Sequence, residues 1–402
     1  MEDNGNNILK PEENTNGQEP LSNDDKTEEE SSAQKPETPK YQIAYAIPPA
    51  PGVKAFSASG EDNSPPPLTT DKLSPFIFET PISLHIKGLR KRTAVISGAF
   101  TAVLVFMYVW SFIFLGFARS FGMSDKNVLK LFGDFYFLNV VQVILSTLLF
   151  AVPFIIAAKS QRLKVSDIVP LGKPVKGTAF PYFGIGLAIC AVSNVMTNDL
   201  DTLFGIIFEK SDISYRLSSS PTERGLTDFV LSLIASAVVP ALVEEFGCRG
   251  IALGMLRGWG DETAIIVSSV LFGLVHANFV QIPFAFLAGV GFAVVRLKTG
   301  TLWVACAVHF CNNFISVLMS GPLSGVSLYI QNIVYVMFLS VSIMLGIIGV
   351  ILLKKRGITD RSLNGNMFGF GTPFLVKSSL GAPMCIVFTV LCLLSSLTYI
   401  VI

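Results

Sequence analysis

Nine stretches of almost uniformly apolar sequence, each close to the length that crosses a bilayer, restrict this chain to one kind of fold. They cover about 94–118, 136–158, 178–198, 227–257, 264–281, 282–297, 301–320, 329–353 and 380–402. Roughly 20 helical residues, rising ~1.5 Å each, cross ~30 Å of hydrocarbon. Lipid offers no hydrogen bonds to a bare backbone, so such stretches must be helices that satisfy themselves. The fifth and sixth abut through Gln281-Ile282-Pro283, which leaves about 8 to 9 spans. With 51% hydrophobic and 15% charged residues, the composition excludes an ordinary soluble globule. The expected fold is all-α, a polytopic transmembrane helix bundle.

The charges are unevenly placed. Residues 1–72 carry 6 Lys+Arg against 14 Asp+Glu, a net −8, whereas the remainder of the chain is +9. The first 75 residues are rich in Glu, Asn, Ser and Pro and read as a disordered acidic tail. Residues 76–177 then supply a juxtamembrane segment and the first two spans, 178–320 a chemical core, and 321–402 two last spans. Met1-Glu2-Asp3-Asn4 has neither the basic nor the apolar region of a cleavable signal, so insertion is expected to start at the first internal span. Basic residues gather at alternate junctions: Lys87 to Arg92, Lys159 to Lys176, Arg257, Arg296 with Lys298, and Lys354 to Arg356. The positive-inside rule turns this alternation into a cytoplasmic N-terminus, an outside C-terminus and a multi-pass protein of the plasma membrane. The outward loop over 199–226 has no readable role. Cys190, Cys248, Cys306, Cys311, Cys385 and Cys392 all lie in apolar runs and read as small buried residues.

Ionisable groups inside the spans require a reason. Val243-Glu244-Glu245-Phe246-Gly247-Cys248-Arg249 puts three charges where each costs roughly 2.5 to 3.5 kcal/mol at a helix centre, unless they face protein and pair. Glu245 and Arg249, at i and i+4, can pair along one face; Glu244 is rotated ~100° away and is left for another use. Phe272 and His276 share a face of the fifth run, and His309 and Asn313 share a face of the seventh. Counted at ~1.5 Å per residue from the basic side, Glu244 lies ~20 Å deep, His276 ~18 Å and His309 ~12 Å. The three groups can therefore meet inside one bundle. A carboxylate beside an imidazole can hold a water and take its proton, and an imidazole with an amide can donate to the oxyanion of a tetrahedral intermediate. Each such donor is worth roughly 2.7 to 4 kcal/mol in other hydrolases.

Glu244-Glu245-x-x-x-Arg249, Phe272-x-x-x-His276 and His309-x-x-x-Asn313, in this order on separate apolar segments, resemble the three motifs of the CAAX protease and bacteriocin-processing family. These are intramembrane glutamic endopeptidases related to the type II CAAX prenyl endopeptidase, and the resemblance covers about 178–320. It implies that Glu244 and His276 activate water, that His309 and Asn313 form the oxyanion site, and that Glu245, Arg249 and Phe272 support them. It also implies catalysis without a metal or cofactor, although two His and a Glu are residue types that hold zinc elsewhere. The implied substrate is a peptide or membrane protein, lipidated or not; no nucleic-acid partner is expected.

Other readings of the same residues exist. Intramembrane Glu and His also mark the ion path of a coupled transporter, and a non-catalytic scaffold or immunity factor would use the motifs only for packing. Gly258-Trp259-Gly260-Asp261 fits the G-x-G-D of aspartyl intramembrane proteases, but no second aspartate lies within the neighbouring spans. H-E-x-x-H and G-x-S-x-G are both missing. Gly250, Gly254 and Gly258 form a small-x-x-x-small series expected to admit a close helix. Pro240, one turn before Glu244, is expected to bend its span and make room for water.

Overall fold

The computed structural model describes residues 80–209, 214–215, 225–355, 357 and 362–401. The expected disordered tail over 1–75 lies outside the described residues, as do 210–213 and 216–224 of the outward loop.

Helix α1, Pro81–Ser120, starts where the Thr80 hydroxyl accepts from the Ser83 amide at 3.2 Å, with Pro81 at a position that needs no amide hydrogen. Its 40 residues exceed a bilayer span, and the surplus first turns carry Lys87, Arg90, Lys91 and Arg92. The short α2, Asp125–Phe132, is capped by Ser124 and leads to α3, Phe135–Ser160, capped by Asp134. A single turn, α4 over Val165–Ile168, precedes α5 over Ala179–Glu209. Helix α6 runs over Leu226–Trp259, α7 over Asp261–Val275, α8 over Gln281–Thr299, α9 over Trp303–Ser320 and α10 over Leu328–Lys355. The chain ends with α11, Thr372–Leu380, and α12, Pro383–Ser396.

The protein is an integral, multi-pass membrane protein. Among the described residues, α1, α3, α5, α6, α8, α9 and α10 are each long and apolar enough to cross a bilayer. Helices α11 and α12 make an eighth span if taken together, bent by 73°. The expected straight run over 380–402 is thus interrupted where Pro383 follows Gly381-Ala382, because a residue before proline is driven out of helical geometry. The fifth expected span, 264–281, becomes α7 instead. Its 15 residues reach only ~22 Å, short of the ~30 Å of hydrocarbon, and it ends at Ala277, whose φ of 48° is left-handed.

That shortening does not change which helix ends lie together. Helix α7 leaves from the end of the bundle to which α8 returns, whether or not the turn between them reaches the far side. Hydrogen bonds tie the basic junctions together at that end: Arg92 Nη1 donates to the Met255 carbonyl at 2.9 Å, Leu302 N to Pro170 O at 2.9 Å, Val175 N to Thr299 O at 2.8 Å and Arg90 Nη2 to Gly381 O at 3.1 Å. The chain terminus lies with the 199–226 loop, since Ser214 and Tyr215 pair antiparallel with Val401 and Ile400.

The core is densest around α6, α7 and α8. Cys248, Ile251, Leu253, Leu256, Leu271, Phe272 and Phe292 are fully or almost fully buried there, while α3 and α10 present wide apolar faces outward. All six cysteines are unpaired; five are buried and Cys311 is half-buried.

Candidate active site

Helix α6 is not a uniform α-helix. Wide turns, with hydrogen bonds spanning five residues where an α-helix spans four, occupy Ile234–Val238 and Phe246–Ala252, on either side of the α-helical Val239–Glu245. Wide turns of this type are rare and concentrate at functional sites. Pro240 supplies one local cause. It has no amide hydrogen, so the carbonyls four and five residues earlier, Ser236 and Ala235, cannot bond to it. Side chains from other helices fill both: Asn313 Nδ2 donates to Ser236 O at 3.2 Å, and Gln142 Nε2 donates to Ala235 O at 3.2 Å.

The two adjacent glutamates stand in different surroundings. Glu245 has no exposed side-chain surface, whereas Glu244 keeps 18%. Glu245 Oε1 accepts from Arg249 Nη1 at 2.8 Å and from His309 Nδ1 at 3.0 Å. The first is the expected i, i+4 pair. The second comes from α9 and joins the first and third motifs through the residue thought to be merely supporting. Arg249 Nε and Nη2 have no hydrogen-bond partner. The guanidinium instead lies over aromatic rings, 3.9 Å from the centroid of Phe272 and 5.0 Å from that of Phe292. A desolvated cation on a ring face gains ~2 kcal/mol, which offsets part of the loss of water. Phe292 in turn stacks on His309, with centroids 4.8 Å apart and planes 14° from parallel. Gly289 on α8 makes room for this arrangement, because a Cβ there would lie 2.9 Å from Arg249 Nη2.

His276 closes α7. Its amide turns to the Gly273 carbonyl at 3.2 Å, three residues back, which releases the carbonyl of Phe272. The ring's Nδ1 lies 2.8 Å from that Phe272 oxygen. A carbonyl only accepts, so Nδ1 carries the hydrogen and Nε2 is an acceptor. Phe272 therefore serves twice, as the lid on Arg249 and as the carbonyl that sets the tautomer of His276.

Glu244 and His276 line one cavity of about 420 Å³. Its walls come from α1, α3, the middle of α6 and the turn after α7, and include Trp110, Leu138, Gln142 and Pro240. His309 approaches Glu244 from behind this lining, with Nε2 3.9 Å from Oε2. Asn313 sits on the same α9 face, held between Asn312 and the Ser236 carbonyl. Six of the seven residues singled out in the sequence thus form one connected group, with Glu244 and His276 on the cavity surface, and Asn313 stands one turn from His309 on α9 with its own partners.

Sequence reasoning missed four contributors. Asn312 and Asn194 hold Asn313 from the side away from α6, and Asn194 was visible as an amide within an apolar run. Ser236 and Gln142 were signalled by Pro240, which must leave carbonyls needing partners. Asp261 of the G-x-G-D pattern is spoken for: it accepts from Arg257 Nε at 2.6 Å and from the Asn364 amide at 2.9 Å. Of the three spaced glycines, Gly250 and Gly254 admit Val169 and Ile168 of the α3–α5 connection, while Gly258 touches nothing within 4 Å. The series therefore accommodates a loop where a helix was expected. Among the described residues, no group of three or more His, Cys, Asp and Glu side chains is placed to hold a metal ion.

The fold and site define a polytopic membrane bundle with Glu, His and Asn side chains gathered beside one cavity. Residues 226–315 match the family described as type II CAAX prenyl endopeptidase Rce1-like. That segment holds every motif residue, and it is through that segment that the chain is similar to the CAAX protease and bacteriocin-processing family. A curated relative, YdiL of Bacillus subtilis (strain 168), is a candidate membrane peptidase by its name; it is 32% identical over 93 residues. That alignment takes in 22% of this chain and 37% of the relative, so the chain spans little more than a third of that protein's length. No solved structure matches the chain significantly.

Proposed function

We propose that the chain is an intramembrane endopeptidase that hydrolyses a peptide bond of a membrane-associated protein or peptide. The observation that carries this reading is the division between the two glutamates: Glu245 is consumed by Arg249 and His309, and Glu244 is left facing the cavity with His276.

A water in that cavity has two hydrogens and meets two acceptors, the Glu244 carboxylate and His276 Nε2. Its free lone pair is then directed at a substrate carbonyl. As the new C–O bond forms, Glu244 takes a proton from the water; it returns that proton to the amide nitrogen as the C–N bond breaks. His309 and Asn313 supply hydrogen bonds to the carbonyl oxygen as it becomes negative. For His309 to donate through Nε2 it must also keep the hydrogen on Nδ1. The basic end of the bundle is the cytoplasmic one, with the N-terminus on that side, in the plasma membrane.

Terminal-peptide mass spectrometry on membranes expressing either the native chain or Glu244→Gln, matched for protein level, tests this. New protein termini present only with the native chain are expected. Identical termini in both, across several growth conditions, would overturn the proposal. Proton-coupled uptake that Glu244→Gln abolishes would replace it with transport.

A further inference from the structure

Three asparagines from α5 and α9 form a single file of amides that ends on the distorted part of α6. Asn194 Nδ2 donates to the Cys190 carbonyl at 2.9 Å and to Asn312 Oδ1 at 2.9 Å. Asn312 Nδ2 donates to Asn313 Oδ1 at 3.3 Å, and Asn313 Nδ2 donates to the Ser236 carbonyl at 3.2 Å. Both ends of the file are backbone carbonyls, which can only accept, so the direction of every amide between them is determined. The Ser236 end exists because Pro240 withholds the amide hydrogen that a regular helix would have placed there. The Cys190 end is a bond back along α5.

We infer that Asn312 and Asn194 are positioning residues that fix which way the Asn313 amide faces, and with it the oxyanion donor. This rests on the proposed hydrolytic role of Asn313. An asparagine amide presents either an oxygen or two N–H groups to a given point, and the two orientations have nearly the same shape. Nothing steric in the side chain prevents rotation about its last bond. With Asn313 Oδ1 occupied by the Asn312 donor, Nδ2 is held on the Ser236 side, and one N–H goes to that carbonyl. Its second N–H is then free for a substrate oxygen. The reversed amide would bring Oδ1 against the Ser236 carbonyl and against the developing negative charge, repelling what it has to stabilise. Asn312 is 4% exposed, so little water competes for its bonds, and in such surroundings a chain of amides is stronger than its links taken singly.

The test is Asn312→Asp, which keeps the shape and replaces the donor by an acceptor. The carboxylate still receives Asn194 Nδ2, but it now demands a donor from Asn313 and pulls that amide around. Cleavage is followed on an internally quenched peptide built on a terminus that appears only with the native chain. The expected result is a fall in kcat of about 10-fold or more, with KM within about 2-fold, since a lost oxyanion donor acts on the transition state. The ratio of variant to native kcat should also rise as pH falls, because a protonated Asp side chain at 312 again donates to Asn313. Asn194→Asp, one link further away, should lower kcat in the same way and by less, and it serves if the first variant fails to fold.

Values of kcat above half the native value in both Asp variants would overturn the inference. So would a loss that is independent of pH and shared equally with KM. Glu244→Gln and Asn313→Ala are measured alongside. If those two are inactive while the Asp variants match the native chain, the relay alone fails. If Glu244→Gln or Asn313→Ala cuts normally, or the native chain cuts nothing, the hydrolytic reading fails and the relay falls with it.

Discussion

Glu244 and Glu245 are neighbours in the chain and opposites in the fold. Around Glu245 the bundle is dry, aromatic and charge-paired, with Arg249 against the rings of Phe272 and Phe292 and His309 stacked on the second ring. Around Glu244 there is a cavity of about 420 Å³ whose walls mix apolar side chains with Gln142 and His276. A turn of ~100° between consecutive helical residues is enough to place one carboxylate in each setting. A buried ion pair contributes little net stability, but losing one partner is expensive because the other is stranded. The paired side is thus a frame held by its mutual contacts, and the open side is where chemistry can take place on it.

The largest expected effect breaks the open side alone. Glu244→Gln should lower peptide cleavage by about 10²- to 10⁴-fold, the usual contribution of a positioned base, and leave the melting temperature unchanged. His276→Ala should fall in the same range, with thermal unfolding again unaltered, because the two are proposed to act on one water. Near-normal turnover in either would separate them. Glu245→Ala attacks the other side. It strands Arg249 and frees His309, and should destabilise the protein by about 3 to 5 kcal/mol, read by thermal unfolding in detergent. Replacing Glu245 and Arg249 together by Leu and Met should recover much of that stability without recovering cleavage.

Gly289→Ala probes the frame more gently. The added methyl would stand 2.9 Å from Arg249 Nη2, and the displaced guanidinium should cost about 1 to 3 kcal/mol with a smaller loss of activity. The smallest effect is expected at Pro240→Ala. A restored amide hydrogen would compete for the carbonyls now held by Asn313 and Gln142, so cleavage should fall by less than about 10-fold. Stability should rise, since an interior proline costs a helix about 3 kcal/mol. Full activity in that variant would remove Pro240 from the account.

The sequence revealed the bundle and the ordered motifs because both depend on local spacing. Apolar runs announce helices, and i, i+4 pairs such as Glu245 with Arg249 announce contacts along one of them. The length of α7 was less legible. The apolar run continues past it, but the chain turns at Ala277 with a backbone angle that no residue type there advertises. The bond from His309 to Glu245 was out of reach because it joins helices separated by 64 residues in the chain. Asn194 was visible as an amide in an apolar run, but its bond to Asn312 was out of reach for the same reason. A proline inside a span leaves carbonyls that must be answered from somewhere else in the bundle.

The division of labour between the two glutamates is tested most directly by measuring cleavage and thermal unfolding side by side for Glu244→Gln and Glu245→Gln. The account predicts that the first variant unfolds at the native temperature and does not cut, and that the second unfolds at a lower temperature. A Glu244→Gln protein that cuts at the native rate, or that unfolds as readily as Glu245→Gln, would contradict it.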